Sequence, residues 1–167
     1  GFYEIELPDD EPSPPVSYDD PNITIFVRDI MRPVYKHTKP AISEIIDDVN
    51  DANDVINGFS CWGEVEPLSF SIYSENGVND LTVTVSDLIH NEDSNSVIDG
   101  NNISIYRVVY DEARLSIDGA GFRGLALVPD RLEEFTTISV SSGTSERVWL
   151  KVKVPASIEG LSAGLYE

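Results

Sequence analysis

The side chains best suited to chemistry in this chain of 167 residues are two neighbouring carboxylates. Glu64 and Glu66, in WGEVEPL, stand two residues apart on an extended segment, so their side chains point to the same side. A glycosidase also uses a pair of carboxyl groups, but the two face each other across a cleft and usually come from separate elements. We therefore expect exposed carboxylates at the start of a strand that Pro67 helps to fix. No catalytic residue is predicted, and the chain is not expected to be an enzyme.

A loop rich in acidic and amide side chains, residues 91–102 (NEDSNSVIDGNN), is the candidate calcium site. Glu92, Asp93, Asn95 and Asp99 offer the oxygen ligands that Ca²⁺ prefers. The loop lacks the D-x-D-x-D-G order and the distal glutamate of an EF-hand, so a solvated acidic loop is the alternative interpretation. No other cofactor is predicted.

The remaining reactive side chains give weaker signals. His37 and His90 are the only histidines, and they lie on different segments with no catalytic motif around either. Cys61 is the single cysteine, so no internal disulfide forms. Because Cys61 lies in an apolar stretch, we expect it to be a small buried side chain.

Two features concern glycans. Asn22 and Asn102 each begin an N-x-S/T sequon and are candidate glycosylation sites. Trp149 and Tyr106 point outward from predicted strands, where they would either stack on sugar rings or be covered by loops. A glycan is therefore a candidate ligand.

Alternation of polar and apolar residues with a period of two runs through most of the chain and predicts strands. The clearest case is ERVWLKVKVP, with Val148, Leu150, Val152 and Val154 on one face. Similar patterns occupy residues 22–30, 67–74, 81–88, 102–110, 113–117 and 136–142, whereas 119–134 looks like a long connection containing glycine. Short alternating strands separated by turn signals predict an all-β fold, an antiparallel β-sandwich of immunoglobulin-like or jelly-roll type.

One helix is predicted near residues 40–57. Pro40 suits a first helical turn, and Asn57-Gly58 suits the end of a helix. Between them, isoleucines and valines recur at helical spacing: Ile42, Ile45, Ile46, Val49 and Ile56.

The two ends of the chain are predicted to be complementary, because one carries an extra strand and the other lacks one. Residues 1–8 (GFYEIELP) are a strand-like arm whose Tyr3, Ile5 and Leu7 share one face, and an acidic, proline-rich linker follows at 9–22. Residues 23–167 are the sandwich domain. Its closing SAGLYE normally leads into a β-strand and none follows, so the domain is expected to lack its final strand. The three apolar arm residues are thus candidate partner-binding residues.

Charge excludes several classes of partner. The chain has 30 Asp and Glu against 11 Lys and Arg, a net charge of −19. A phosphate backbone or an anionic membrane surface would be repelled, so neither nucleic acid nor a membrane is an expected partner. No apolar run of about 18 residues is present either, so membrane insertion is not predicted.

From residue 63 onward the sequence GEVEPLSFSIYSENGVNDLTVTVSDL resembles a known module. It is similar to the N-terminal β-sandwich of secreted bacterial and archaeal proteins whose main body is a glycoside-hydrolase-like TIM barrel, the β-N-acetylgalactosaminidase-like group among them. LVPDRL at 127–132 and VWLKVKVP…SAGLYE at 148–167 also carry the likeness, which covers 23–167. In that group the barrel performs catalysis. The resemblance therefore implies no catalytic residue here, but an extracellular, carbohydrate-associated setting.

Two functions are consistent with these features. In the first, the chain is a non-catalytic extracellular or cell-surface module that contacts a neighbouring domain of the same polypeptide. In the second, it is a filament subunit whose arm completes the sheet of an identical subunit by donor-strand exchange. A further alternative is that the arm closes the sandwich of its own chain.

Overall fold

The structure, a computed structural model, describes residues 22–46, 56–116, 123–156 and 161–167. Only the backbone is described for 114–116 and 123–125. The predicted arm, with Tyr3, Ile5 and Leu7, and the predicted linker apart from Asn22 lie outside the described residues.

Antiparallel strands account for nearly all of the regular secondary structure in the described chain, which confirms the predicted all-β fold. The largest sheet has five strands in the order β1-β2-β9-β6-β7, and two smaller sheets pair β3 with β8 and β4 with β5. The strands are β1 Thr24–Phe26, β2 Val65–Ser74, β3 Val78–Leu81, β4 Leu88–Ile89, β5 Val97–Ile98, β6 Ile103–Ser116, β7 Arg123–Glu134, β8 Ile138–Val140 and β9 Thr144–Lys153.

The core lies between the five-stranded sheet and the β3–β8 sheet. Ile72 of β2 and Val148 of β9 are buried against Ile138 and Val140 of β8. Alternation places these side chains on one face of each strand, as the pattern of β9 predicts. The two layers therefore face each other across an apolar interior, the arrangement of a sandwich.

The other face of β2 and β9 is covered by the loop at 27–40, and Arg147 holds that loop in place. This arginine is only 4% exposed. Its Nη1 donates to the carbonyl oxygen of Arg32 at 2.8 Å, and its Nη2 donates to Ser69 Oγ at 2.8 Å. Nη2 also donates to the carbonyl oxygen of Asp29 at 3.3 Å. Alternation along ERVWLKVKVP puts Arg147 on the face opposite Val148, which would be the outer face, but the loop at 27–40 turns that face into a second interior.

The predicted helix near 40–57 is wrong for residues 40–46. A single 3₁₀ turn spans Ile42–Glu44, after which Ile45 is extended and pairs with Phe26 of β1. Ile46 N–H donates to the Ile25 carbonyl oxygen at 3.0 Å. Pairing with the edge of β1 therefore wins over the helical spacing of the isoleucines. Residues 47–55 lie outside the described residues.

The expected connection at 119–134 is also wrong over most of its length, because Arg123–Glu134 is strand β7. This strand lies at the edge of the large sheet, where a proline is tolerated because its missing N–H faces outward or falls at a bulge. Pro129 pairs with Tyr110 beside a register shift. In contrast, 82–87 are not in a strand although 81–88 was predicted to be one.

The C-terminal segment, residues 161–167, runs back along β4. Ile89 N–H donates to the Glu167 carbonyl oxygen at 2.8 Å, and Glu167 N–H donates to the Ile89 carbonyl oxygen at 3.0 Å. Tyr166 forms an antiparallel bridge with His90. The end of SAGLYE is thus itself paired to a sheet, while a strand beyond it stays a prediction. Among the described residues no helix is long and apolar enough to cross a membrane.

Candidate functional site

The two neighbouring glutamates bind the loop that precedes them. Glu64 Oε2 accepts the Cys61 backbone N–H at 3.0 Å, and Glu66 Oε1 accepts the Phe59 backbone N–H at 3.4 Å. Their carboxylates therefore fix the turn that leads into β2, a role that the sequence did not indicate. Cys61 itself is exposed, so the expectation of a buried thiol is wrong.

The candidate calcium loop is organised by its own turns. Asp93 Oδ1 accepts the Asn95 backbone N–H at 3.1 Å, and Asp99 Oδ1 accepts the Asn101 backbone N–H at 2.7 Å. Glu92 is exposed. No group of three or more His, Cys, Asp or Glu side chains within the described residues is placed to hold a metal ion. Calcium binding stays a prediction.

Asp93 also links this loop to the C-terminal segment. Its Oδ2 accepts the Ser162 hydroxyl at 3.1 Å. Hydrogen bonds from the Asn95 backbone N–H and from Ser162 hold the pKa of Asp93 below its usual range. The carboxylate that the sequence suggested as a metal ligand therefore fastens two segments of the fold.

His90 lies at the centre of the same contact. Its Nδ1 accepts the backbone N–H groups of Glu92 and Asp93, each at 3.1 Å, so the ring hydrogen is on Nε2 and faces the Ala163 carbonyl oxygen at 3.2 Å. The Tyr166 ring packs edge-on to it with centroids 5.1 Å apart. Both ring nitrogens of His90 therefore contact backbone groups and help to hold the fold together.

Sequence reasoning missed this cluster because its members are about 70 positions apart in the chain: Ser96 Oγ, for example, contacts Tyr166 OH with a separation of 70 residues. Tyr166 OH also donates to the Ser162 carbonyl oxygen at 2.7 Å. Only the SAGLYE motif gave a signal, since its small residues permit the close approach to His90.

An apolar cavity of about 710 Å³ lies at the end of the sandwich where β2 starts and β9 ends. The large sheet contributes Leu68 and Val152 to its lining, Val154 adds to it just past β9, and the β4–β5 sheet contributes Leu88 and Ile98. These are core-face positions, so the cavity continues the apolar interior between the layers.

Exposed apolar side chains surround this cavity. Phe59 is 84% exposed, Leu165 is 52% exposed and Trp62 is 38% exposed, and all three line it. Apolar groups gathered at one opening, unlike scattered ones, are typical of a surface that another segment or molecule covers.

The residues that the sequence suggested for glycan attachment or binding do not line this cavity. Asn22 Oδ1 accepts Asn76 Nδ2 at 2.7 Å, and Asn102 is half-buried in a 3₁₀ turn. Tyr106 and Trp149 are partners on β6 and β9, and both are half-buried. Lys151 Nζ lies 4.6 Å from the centre of the Tyr106 ring, so a cation packs on this ring.

Comparisons with known proteins find a likeness to solved structures, but to no family model and no curated protein. Among solved structures it is similar to a family 123 glycoside hydrolase from Clostridium perfringens, studied for glycolipid glycan hydrolysis. The identity is 20% and the TM-score 0.54, over 63% of this chain and 17% of that chain. The likeness shows that this fold occurs within a small part of a glycoside hydrolase chain.

Proposed function

We propose that this chain is a non-catalytic β-sandwich module of a secreted or cell-surface, carbohydrate-associated protein, of the kind that precedes a β-N-acetylgalactosaminidase-like barrel. The observation that carries the proposal is the engagement of the candidate acid–base groups. Glu64 and Glu66 accept backbone N–H groups of their own loop, and both nitrogens of His90 contact backbone groups.

The structural likeness supports the carbohydrate setting. A match to 17% of a glycoside hydrolase chain is what a supporting module of a larger enzyme would give. The partner in this proposal is a neighbouring domain of the same polypeptide, and the exposed apolar side chains around the cavity are available for such a contact.

The test uses the polypeptide as its host makes it. An antibody raised against this domain would capture the native protein, whose mass, cell fraction and hydrolysis of a fluorogenic N-acetyl-β-galactosaminide would then be measured. We expect an extracellular polypeptide much larger than 18.4 kDa that hydrolyses the glycoside. Recovery as an intracellular polypeptide without that activity would contradict the proposal.

A second candidate function, the filament subunit, is favoured by the apolar cavity, since a donated strand needs such a receptor. In that case the captured protein has the mass of this chain and sediments as polymers. The same experiment therefore separates the two candidates.

A further inference from the structure

We propose that the apolar cavity at the end of the sandwich is the receptor for the N-terminal arm, residues 1–8, which binds there as an added strand. The inference does not depend on the module function. It bears on the filament candidate only through whether the arm comes from the same chain or from another copy.

The shape and chemistry of the cavity suit an extended apolar segment. Its walls are side chains from the core faces of two sheets, and about 710 Å³ is left between them. The arm would present Tyr3, Ile5 and Leu7 to these walls, while Glu4 and Glu6 point to solvent. Three side chains spaced two residues apart would continue the interdigitation of the core.

A sheet edge lies beside the cavity. Residues 165 and 167 both hydrogen-bond to β4 or the residues just after it: Asn91 N–H donates to the Leu165 carbonyl oxygen at 3.0 Å, and Glu167 exchanges two bonds with Ile89. In an antiparallel pair the residue between two such positions turns its N–H and C=O to the other side. Tyr166 thus directs its backbone groups away from β4, where an added strand would meet them.

The length of the tether permits the contact. Asn22 lies beside Asn76, past the end of β2, whereas the cavity borders Glu66 near its start. Since Tyr73 pairs with Thr24, the distance from residue 73 to 66 along the strand is about 24 Å. The linker at 9–22 reaches about 43 Å as a polyproline-type chain.

Cys61 lines the cavity and is the only cysteine, which makes it a built-in probe. Full-length variants Tyr3→Cys, Ile5→Cys and Leu7→Cys would be oxidised with diamide, and the linkage to Cys61 identified by non-reducing electrophoresis and mass spectrometry. The matched controls are Glu4→Cys on the opposite face of the arm and Ser13→Cys in the linker.

If the arm docks, at least one of the three inward variants links to Cys61 about tenfold faster than both controls, a ratio equivalent to about 1.4 kcal/mol of preference. Equal rates for all five variants would overturn the proposal. A link within one chain supports docking and refutes the filament candidate, whereas a link between chains supports both.

A second measurement follows the reactivity of Cys61 itself and introduces no cysteine into the arm. We expect a bulky thiol reagent to modify Cys61 about tenfold faster in Ile5→Asp than in the wild-type protein, since a buried carboxylate opposes docking. Glu4→Asp should leave the rate unchanged. Identical Cys61 reactivity in all three proteins would refute the proposed site.

Discussion

Arg147 provides the sharpest test of how the loop at 27–40 is held. Replacing it with methionine keeps much of the apolar stem but removes the guanidinium. The Arg32 carbonyl oxygen and Ser69 Oγ, each 2.8 Å from a guanidinium nitrogen, would then lose a charged donor in a buried place. At about 1.5 kcal/mol for each of these two bonds, the expected loss in the free energy of unfolding is about 3 kcal/mol.

For a domain of this size each kcal/mol lowers Tm by about 2–4 °C, so Arg147→Met should melt about 6–12 °C below the wild-type protein. Guanidinium titration and thermal melting followed by circular dichroism measure both quantities. Lys153→Met, at an exposed position further along β9, is the matched control and should change stability by less than about 0.5 kcal/mol. If Arg147→Met proves as stable as this control, the loop is held by other contacts and the reasoning fails.

Three further substitutions probe other contacts. In Gly164→Ala the new Cβ would overlap His90 Nε2, so the clash should cost about 1–3 kcal/mol and speed hydrogen exchange at the Ile89 and Asn91 amides, which bond the C-terminal segment. Tyr110 OH is buried without a well-aligned hydrogen-bond partner among the residues that the structure describes, so Tyr110→Phe should raise the free energy of unfolding by about 1 kcal/mol. Burial also raises the pKa of Tyr110, so one of the seven tyrosines should resist ionisation in an ultraviolet titration until the protein unfolds. Burial acts to raise the pKa of Glu44, yet hydrogen bonds from Arg28 and the Ala41 N–H hold it below its usual range. Stability from Glu44 is therefore present above about pH 4.3 and lost as the pH falls through the lower folded pKa, and Glu44→Gln should flatten this acid limb of the stability curve.

Each of these has a control on a neighbouring or similar side chain. Ala163→Ser should leave hydrogen exchange unchanged, Tyr106→Phe should not raise stability, and Glu112→Gln should keep the acid limb. Unaltered exchange in Gly164→Ala would contradict the close packing of His90. A destabilised Tyr110→Phe would show that its hydroxyl has a partner, and an unchanged acid limb in Glu44→Gln would show that other carboxylates dominate it.

The strands most fully surrounded by other strands were the easiest to predict. β9 has a neighbour on each side, β2 and β6, and its alternation places Val148 and Val152 in the core. Here local pattern and tertiary environment agree, because one face of the strand meets the opposite layer along most of its length.

The prediction failed where neighbours override the local pattern. The spacing of Ile42, Ile45 and Ile46 fits a helix, but the edge of β1 offers backbone partners that extend the chain. The glycines of 119–134 suggested a connection, yet Arg123–Glu134 is an edge strand whose bulge accepts Pro129. Neither the partner strand nor the edge position can be read from the residues themselves.

The candidate site was predictable only in part. The sequence placed Glu64 and Glu66 at the start of a strand, and β2 does begin there, since their spacing and Pro67 are local features; Glu64 is exposed as expected, but Glu66 is half-buried. It could not reveal the cavity or the cluster around His90, because both bring together residues from distant parts of the chain. The burial of Arg147 could not be predicted from the sequence either, because the loop that covers it lies more than 100 residues away in the chain.

The central claim, that these carboxylates serve the fold and the module is non-catalytic, is tested most directly by hydrolysis of a fluorogenic N-acetyl-β-galactosaminide by the purified 167-residue protein. We expect a rate equal to that of buffer, for the wild-type protein and for Glu66→Gln alike. Turnover by the wild-type protein that Glu66→Gln abolishes and Glu112→Gln retains would contradict the claim.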